Sequence, residues 1–214
     1  MLIEDERNYM KIIEHYERCL ERYGDSHLGV DWPNKRDVAT RYRVMLDVIR
    51  ERGTNKIRLL DFGCGASHLY EYVLRHKLSH IMYSGLDISR DFIDLSRSKF
   101  PSVPFYCLDV LDSEVQLPEF DYVVMNGVFT EKRSLERDEM MNYFERLVGK
   151  VFALASRGIT FNVMSSHVDW EREDLFHLPL DALAAFLTQN ISRHFVIRND
   201  YGLYEYTVYV YGRP

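Results

Sequence analysis

From residue 57 onward, the sequence alternates short apolar runs with segments of helical spacing. Each apolar run has the length and continuity of a strand that is buried on both faces. The predicted strands are IRLLDF, IMYSGLD, PFYCLDV, FDYVVMN and ITFNVM, and the predicted helices are SHLYEYVLRHK, SRDFIDLSRSKF and the stretch from Glu136 to Ser156. This alternation predicts a parallel sheet covered by helices on both faces, with right-handed crossovers.

Both ends of the chain depart from this alternation. Residues 5–22 and about 36–52 have the spacing of amphipathic helices, and the loop GDSHLGVDWPN lies between them. At the other end, HFVIRNDYGLYEYTVYVYGRP reads as two strands joined by a short turn around Asn199, Asp200 and Gly202, which predicts an antiparallel hairpin. Apolar residues occur on both faces of its second strand, so we expect that strand inside the sheet.

Composition limits the kind of partner. The 214 residues are 46% hydrophobic, which suffices for one full core. A net charge of −6 disfavours the basic face that nucleic acid requires, and no stretch approaches the roughly 18 apolar residues of a membrane span. The start lacks the hydrophobic block of a signal peptide, and the three cysteines are far apart. We therefore expect a cytoplasmic protein with a small-molecule substrate and no nucleic-acid or membrane partner; the sequence does not define its oligomeric state.

Two glycines one residue apart follow the first predicted strand. Gly63 and Gly65 match the start of the G-x-G-x-x-G loop that binds dinucleotides, but His68 stands in the place of the third glycine. A P-loop is also absent, because no Gly-Lys-Ser/Thr follows. The turn still permits a close approach of ligand and backbone, so it predicts a ligand without a pyrophosphate.

Side chains with polar oxygens close the predicted strands. Asp61, Asp87, Asp109 and Asn126 stand at four successive strand ends. In an open parallel sheet, ligands bind beyond the carboxyl ends of the strands, and an acid about twenty residues past the glycine turn can bind both hydroxyls of a ribose. Each residue alone also fits a turn or a helix cap. Their joint placement predicts a pocket for an adenosine that carries an amino-acid tail.

In this order the motifs resemble those of the class I S-adenosylmethionine-dependent methyltransferases. LLDFGCG resembles the first motif, GLDIS the ribose-binding acid, YCLDV the adenine-contacting step and FDYVVMNGVF the fourth motif. The resemblance covers about residues 35–214. It implies a Rossmann-like, doubly wound α/β fold with a seven-stranded sheet in the order 3-2-1-4-5-7-6, strand 7 being antiparallel. We expect residues 1–35 to form an N-terminal helical cap and loop, and residues 36–214 to form the methyltransferase domain.

The resemblance also implies a role for each motif. The glycine turn would lie beside the methionine tail of the cofactor, with Asp61 near its ammonium. Asp87 would hold the ribose and Asp109 the adenine amino group, while Ile88 and Val110 would pack on the rings. The expected cofactor-binding residues are Arg41, Asp61, Phe62, Gly63, Cys64, Gly65, Asp87, Ile88, Asp109, Val110, Asn126 and Gly127.

The resemblance also gives particular reasons for including Asn126 and Arg41 among the cofactor-binding residues. Asn126 would offer its backbone near the methionine tail. The front end, GVDWPN followed by TRYRVMLDVI, is similar to little-characterised bacterial members, some of them associated with surface polysaccharides. In such relatives a basic residue on the leading helix can meet the carboxylate of the cofactor, and Arg41 is the candidate because an arginine fork binds a carboxylate bidentately.

The polar segment SSHVDWEREDLFHLP follows the fifth predicted strand and therefore lies at the functional end of the sheet. It predicts a substrate lid in which His167, Asp169 and Trp170, together with Trp32 of the front loop, contact the substrate. His167 comes immediately after the strand and is the candidate general base. His167 and His177 are ten positions apart, which matches no recognised zinc-ligand spacing, so we expect no metal.

Three functions are consistent with these patterns. The first is a methyltransferase that acts on an oxygen of a sugar-like or carboxylate-bearing metabolite. The second is a non-catalytic member of the same fold that binds or scaffolds, because no catalytic base is unmistakable. The third is a nicotinamide oxidoreductase, against which His68 argues.

Overall fold

The strands form where β-branched and aromatic residues occur in short apolar runs. The computed structural model describes residues 7–51, 55–112 and 116–212. The strands are β1 (Ile57–Phe62), β2 (Ile81–Asp87), β3 (Phe105–Cys107), β4 (Phe120–Phe129), β5 (Ala155–Ser165), β6 (His177–Leu178), β7 (Phe195–Arg198) and β8 (Glu205–Tyr211). The helices are α1 (Met10–Tyr23), α2 (Lys35–Leu46), α3 (His68–Arg75), α4 (Arg90–Lys99), α5 (Arg137–Phe152) and α6 (Leu180–Phe186), which continues as one π-helical turn (Leu187–Ile191). None of the described helices is long and apolar enough to cross a membrane.

The strands form one sheet in the order β3-β2-β1-β4-β5-β8-β7. Strands β1 to β5 are parallel, β8 is antiparallel to both β5 and β7, and the short β6 pairs with the end of β5. The short β6 was not predicted, so β7 and β8 correspond to the predicted strands 6 and 7. The observed order is therefore the predicted one, with the antiparallel strand between the fifth strand and the edge strand. The Rossmann-like methyltransferase architecture is thereby confirmed. The division of the chain at residue 35 stays a prediction.

The two faces of the sheet carry separate apolar layers. Along β4, Val123 and Met125 point into one layer and Tyr122 and Val124 into the other, and all four are buried. Helices α1, α5 and α6 contribute to the first layer, and α2, α3 and α4 contribute to the second. A strand that is apolar on both faces can be satisfied only between two helical layers, which explains the continuous apolar runs of the sequence.

Several element boundaries differ from the sequence prediction. The second helix ends at Leu46 instead of about 52, and the long fifth helix stops at Phe152, since β5 already begins at Ala155. The hairpin loop spans six residues, 199–204, and is not a short turn. Residues 5, 6 and 52 of the predicted helices, and 213–214 of the predicted hairpin, lie outside the described residues.

Strand β4 does not end at Asn126 as predicted but continues to Phe129. Its pairing with β5 shifts register between Met125 and Phe129, where Gly127 adopts a φ of +83°. The Gly127 N–H donates to the side-chain oxygen of Asn162 on β5, at 2.7 Å. A bulge of this kind turns the strand at the edge where the glycine turn lies.

Candidate active site

One pocket lies at the carboxyl edge of the parallel strands. The strand register explains its position: Asp61 lies opposite Gly85, and Asp87 opposite Cys107, so the ends of neighbouring strands meet at one edge. The pocket is lined by Tyr9, Ile12, Ile13, Tyr16, Val30, Trp32, Tyr42, Asp61, Phe62, Gly63, Cys64, Gly65, His68, Leu69, Leu86, Asp87, Ile88, Ser89, Phe92, Leu108, Asp109, Val110, Asn126, Gly127, Val128, Tyr143 and Leu147. Every predicted cofactor residue except Arg41 is part of this lining.

The glycine turn forms the floor of the pocket. Gly63 and Gly65 have φ values of +69° and +50°, a conformation that L-residues with a side chain rarely adopt. A Cβ at position 63 would lie 2.8 Å from the Cγ2 atom of Val128. The turn is fixed from behind, because the N–H groups of Gly63 and Cys64 both donate to the Leu86 carbonyl. The backbone is therefore bare on the side that faces the pocket.

Asp87 binds the same turn from the neighbouring strand. Its carboxylate accepts the Gly65 N–H at 2.9 Å with one oxygen and the Ser89 N–H at 3.0 Å with the other. Burial raises the pKa of Asp87 to about 6, against the lowering effect of these hydrogen bonds. Each carboxylate oxygen has a second lone pair, so Asp87 retains the capacity to bind a ligand in the pocket.

Asp61 is the most deeply buried acid of the site. It is 3% exposed and accepts a hydrogen bond from the Tyr83 hydroxyl at 2.7 Å. Burial raises the pKa of Asp61 to about 7, and the negative charge of Asp87 adds to this rise. Asp61 has no cationic partner among these contacts, so a cation bound in the pocket would favour its ionised form.

Asp109 lies two residues past the end of β3 and lines the pocket. It accepts the Leu111 N–H at 2.9 Å with one oxygen and the Tyr9 hydroxyl with the other. The Tyr9 ring stacks on Tyr143, with centroids 4.7 Å apart. Tyr9 therefore closes this end of the pocket, and nothing in the local sequence indicates that pairing because the two residues are 100 positions apart.

Asn126 and Gly127 form the pocket wall at the bulge in β4. Among the buried side-chain nitrogen and oxygen atoms of the described residues, Asn126 Oδ1 alone has no hydrogen-bond partner. An unpaired buried acceptor is costly, so its place in the pocket lining is a sign of a missing donor. Trp32, predicted as a substrate contact, packs on Gly127 at the same wall.

Helix α1 covers the pocket. Ile12, Ile13 and Tyr16 line it from above, and the Tyr16 hydroxyl donates to the Gly127 carbonyl at 3.2 Å. One turn after Ile13, Glu17 accepts a hydrogen bond from Ser89 Oγ at 2.6 Å. The sequence predicts this helix but not its contact with the site. The apolar face of the helix was the one feature of the sequence that could have indicated this contact.

Arg41 is not brought to the pocket lining. Its Nε donates to both carboxylate oxygens of Glu205, at 3.0 and 2.9 Å, and its guanidinium stacks on Trp32 with 4.1 Å to the ring centroid. The predicted contact with a cofactor carboxylate is therefore not part of this geometry. His68, whose position the sequence marks as unusual, lines the pocket instead and bonds to Asp25 at 2.7 Å.

The structure does not place the predicted lid residues in the pocket. His167, Asp169 and Trp170 are exposed, the last at 72%, and none is part of the lining. The reason is the course of the chain after β5. Backbone bonds join Lys132 to the Asp174 carbonyl, and His177 returns to pair with β5, so the segment folds outward as a closed loop.

The comparisons with known proteins agree on one class of enzyme. The family model described as a methyltransferase domain matches residues 60–150. A Mycobacterium tuberculosis protein named as a methyltransferase is 28% identical over 155 residues, which are 70% of this chain and 90% of that protein. Residues 60–150 thus match a methyltransferase domain, and the sheet around them has the Rossmann-like strand order.

Two further matches differ in how much they cover. A malonyl-[acyl-carrier protein] O-methyltransferase of Acetivibrio thermocellus is 28% identical over 87 residues, 40% of this chain and 30% of that protein. Magnesium protoporphyrin IX methyltransferase of Synechocystis PCC 6803, solved with bound S-adenosylmethionine, has the same fold, with a TM-score of 0.62, 15% identity and coverage of 98% of this chain and 97% of that one.

S-adenosylmethionine is the cofactor of the methyltransferase family, and the pocket residues of this chain fit it. The bare turn at Gly63 gives room for a ligand against the backbone, where a Cβ would collide with Val128. Asp61 can offset a positive charge, and Asn126 Oδ1 requires a donor. The cofactor carries both a sulfonium and an ammonium with N–H groups, so charge and hydrogen-bonding capacity agree.

Proposed function

We propose that this pocket binds S-adenosylmethionine and that the protein transfers its methyl group to an oxygen of a small sugar-like or carboxylate-bearing metabolite. One observation carries the proposal. The bare glycine turn, the two buried acids Asp61 and Asp87, Asp109 and Asn126, whose side-chain oxygen is unpaired, all line one cavity at the end of a parallel sheet. This is the set that a nucleoside with a cationic amino-acid tail requires.

The methionine end of the cofactor would lie along the glycine turn. Asp61, buried and without a cationic partner, would accept from the ammonium, and Asn126 Oδ1 would gain the donor that it lacks. We assign the cofactor carboxylate to the start of α3, where His68 lines the pocket, and not to Arg41, which is bonded to Glu205. Free N–H groups at a helix start favour an anion.

The nucleoside end would lie between β2 and β3. Asp87 would accept both ribose hydroxyls with its remaining lone pairs, and Asp109 would accept the adenine amino group. Ile88 and Val110 line the pocket at these strand ends and would pack on the rings. For Asp109 this role requires that the Tyr9 hydroxyl shares the carboxylate or moves aside.

Positioning is the main task of the protein in this reaction. The sulfonium supplies an electrophilic methyl group, so the residues must hold an acceptor in line with it and exclude water. Orientation of this kind can lower a barrier by about 7 kcal/mol or more. The apolar residues Ile12 and Ile13 of α1 cover the pocket and shield it from solvent.

Oxygen is the proposed acceptor atom for two reasons. The chain partly matches an O-methyltransferase, and the histidines considered as bases are not placed to act on an acceptor. His167, the predicted base, lies outside the pocket lining, and His68 is bonded to Asp25. A hydroxyl acceptor must lose a proton in the reaction, whereas a carboxylate is already ionised at neutral pH and needs no base. A carboxylate-bearing metabolite is therefore the preferred substrate class.

Calorimetric titration with S-adenosylhomocysteine tests the cofactor assignment. Asp87→Asn is expected to weaken binding by about tenfold or more, because hydrogen bonds to a charged acceptor contribute about 1.5–3 kcal/mol. Asp91→Asn is the matched control, since Asp91 is an exposed acid in the first turn of α4, outside the pocket. Equal affinity of the Asp87 variant and the wild type would refute the assignment.

The acceptor is tested separately, by mass spectrometry of reactions with a panel of carboxylic acids, sugars and amines. A methyl ester or methyl ether among the products is the expected result. Products methylated only on nitrogen or carbon would contradict the oxygen assignment while leaving the cofactor site intact.

A further inference from the structure

We propose that His15, Cys19 and Asp31 form a zinc-binding site that ties α1 to the loop in front of α2. The site is distinct from the cofactor pocket, since none of the three residues lines it. The inference does not depend on the identity of the methyl acceptor.

The three ligand atoms converge on one point. His15 Nε2 is 2.7 Å from Asp31 Oδ2 and 3.7 Å from Cys19 Sγ, and all three atoms lie within 4.8 Å of one another. His15 and Cys19 are four positions apart on α1 and therefore share a helix face. Asp31 reaches them from the loop, where its backbone has a φ of +54° and its N–H bonds to the Leu28 carbonyl.

These distances suit tetrahedral zinc. Zn–N and Zn–S bonds of about 2.1 and 2.3 Å place two such ligands roughly 3.5 Å apart, close to the 3.7 Å between His15 and Cys19. A nitrogen and an oxygen that both bind tetrahedral zinc lie roughly 3.4 Å apart. Asp31 Oδ2 would therefore move away from His15 Nε2 by roughly 0.7 Å, from its present 2.7 Å. A water molecule would complete the four ligands.

The donor set also selects among metals. One imidazole, one thiolate and one carboxylate suit Zn²⁺, whereas Mg²⁺ and Ca²⁺ prefer oxygen ligands alone. The two negative charges of an ionised thiolate and Asp31 would offset the double charge of the metal. The cations nearby are paired already: Arg133 bonds to Glu131 at 3.0 Å, and Arg18 pairs with Glu14 at 3.9 Å.

A second cluster of similar composition differs from the first because it already contains a cation. Asp25, His68 and Glu71 also bring three ligand atoms together, but Lys99 already supplies the cation, at 2.8 Å from Asp25 and 2.7 Å from Glu71. The same ammonium donates to the Ala66 carbonyl at 2.8 Å. Among the described residues, the cluster of His15, Cys19 and Asp31 has no comparable lysine in its contacts.

A metal at this point would affect the pocket through the loop. Asp31 stands between Val30 and Trp32, and both of these residues line the pocket. The helix residue next to His15 is Tyr16, which bonds to Gly127 at the bulge in β4. Zinc would thus hold together two elements that close the active site, and its loss would loosen both.

Metal titration of the purified, untagged protein tests the proposal. Zn²⁺ is titrated in competition with a chromophoric chelator, and one equivalent per chain is expected. His15→Ala and Cys19→Ser should each weaken the binding about a hundredfold or more. With Co²⁺ as the probe, the wild type should show a thiolate-to-metal charge-transfer absorption that Cys19→Ser lacks. Zn²⁺ should also raise the melting temperature of the wild type but not that of Cys19→Ser.

Two matched variants act as controls. Cys107→Ser removes an exposed thiol elsewhere in the chain, and His68→Ala removes the histidine of the second cluster, so both should bind Zn²⁺ as the wild type does. Absence of the charge-transfer absorption in wild-type protein would overturn the proposal, as would binding lost in His68→Ala but retained in His15→Ala. Circular dichroism of each variant confirms that the fold is intact.

Discussion

At the scale of single residues, Gly127 carries the strictest requirement of the pocket wall. Its φ is +83°, and a Cβ there would lie 2.7 Å from the Cζ2 atom of Trp32. We expect Gly127→Ala to destabilise the protein and to weaken binding of S-adenosylhomocysteine, because the wall must move. Gly202 is the matched control, with a φ of +77° and nothing within 4 Å of an added Cβ.

The comparison separates backbone strain from collision. Gly202→Ala should lose about 1–2 kcal/mol, the cost of the left-handed conformation alone, which for a chain of this size lowers the melting temperature by about 2–4 °C per kcal/mol. Gly127→Ala should lose clearly more, and it alone should lose cofactor affinity. Differential scanning calorimetry and titration measure both quantities. Equal losses in the two variants would show that the contact with Trp32 does not constrain the wall.

The same scale shows which site residues the sequence could reveal. Asp87 and Asp109 were predictable because parallel strands end at a common edge, so position along the chain gives position in space. Tyr9 and His68 were not, since the approach of Tyr9 to Asp109 depends on tertiary packing. The prediction that His167 lies in the site failed for a similar reason. A polar residue that follows a strand reaches the site only if the loop after that strand folds toward the site, and this loop does not.

At the scale of elements, a buried ion pair joins α2 to β8. Arg41 and Glu205 have side chains 12% and 1% exposed, and Asn162 Nδ2 donates to the same carboxylate at 3.0 Å. Glu205→Gln leaves the Arg41 charge buried without its partner, so we expect a loss of about 3–5 kcal/mol in the free energy of unfolding. Urea denaturation measures it.

The double variant Arg41→Met with Glu205→Met is the control for this pair. It removes both charges and keeps apolar bulk, so it should lose less stability than Glu205→Gln alone. A Glu205→Gln loss below about 1 kcal/mol would mean that solvent reaches the pair and screens it.

The bounds of helices and strands were predictable where the hydrophobic pattern alone determines them. Strand β1 and strand β2 have the predicted bounds, because an apolar run between two helical layers has only one way to be buried. The two-residue β6, the π-helical turn and the six-residue hairpin loop were not, since each depends on contacts with distant segments. Strand β6 exists only because His177 pairs with Met164 of β5.

At the scale of the whole molecule, the buried acids oppose stability in the cofactor-free state. Burial raises the pKa of Asp61 to about 7 and that of Asp87 to about 6, both above the ordinary value of 3.8. Between about pH 4 and 7 the folded protein therefore holds protons that the unfolded chain has already released. By linkage, the contribution of these two groups to stability falls as pH rises through this window.

Cofactor binding should reverse that dependence. A ligand with a sulfonium and an ammonium favours ionised carboxylates, so we expect its binding near pH 6.5 to release protons and its affinity to rise between pH 5.5 and 7.5. Calorimetry with S-adenosylmethionine in two buffers of different ionisation enthalpy counts the protons. Asp61→Asn, which cannot ionise, should release fewer, whereas the exposed control Asp91→Asn should match the wild type. A heat of binding identical in both buffers at pH 6.5 would show that the ligand's charge does not reach these acids, and the assignment of Asp61 to the cofactor ammonium would then fail.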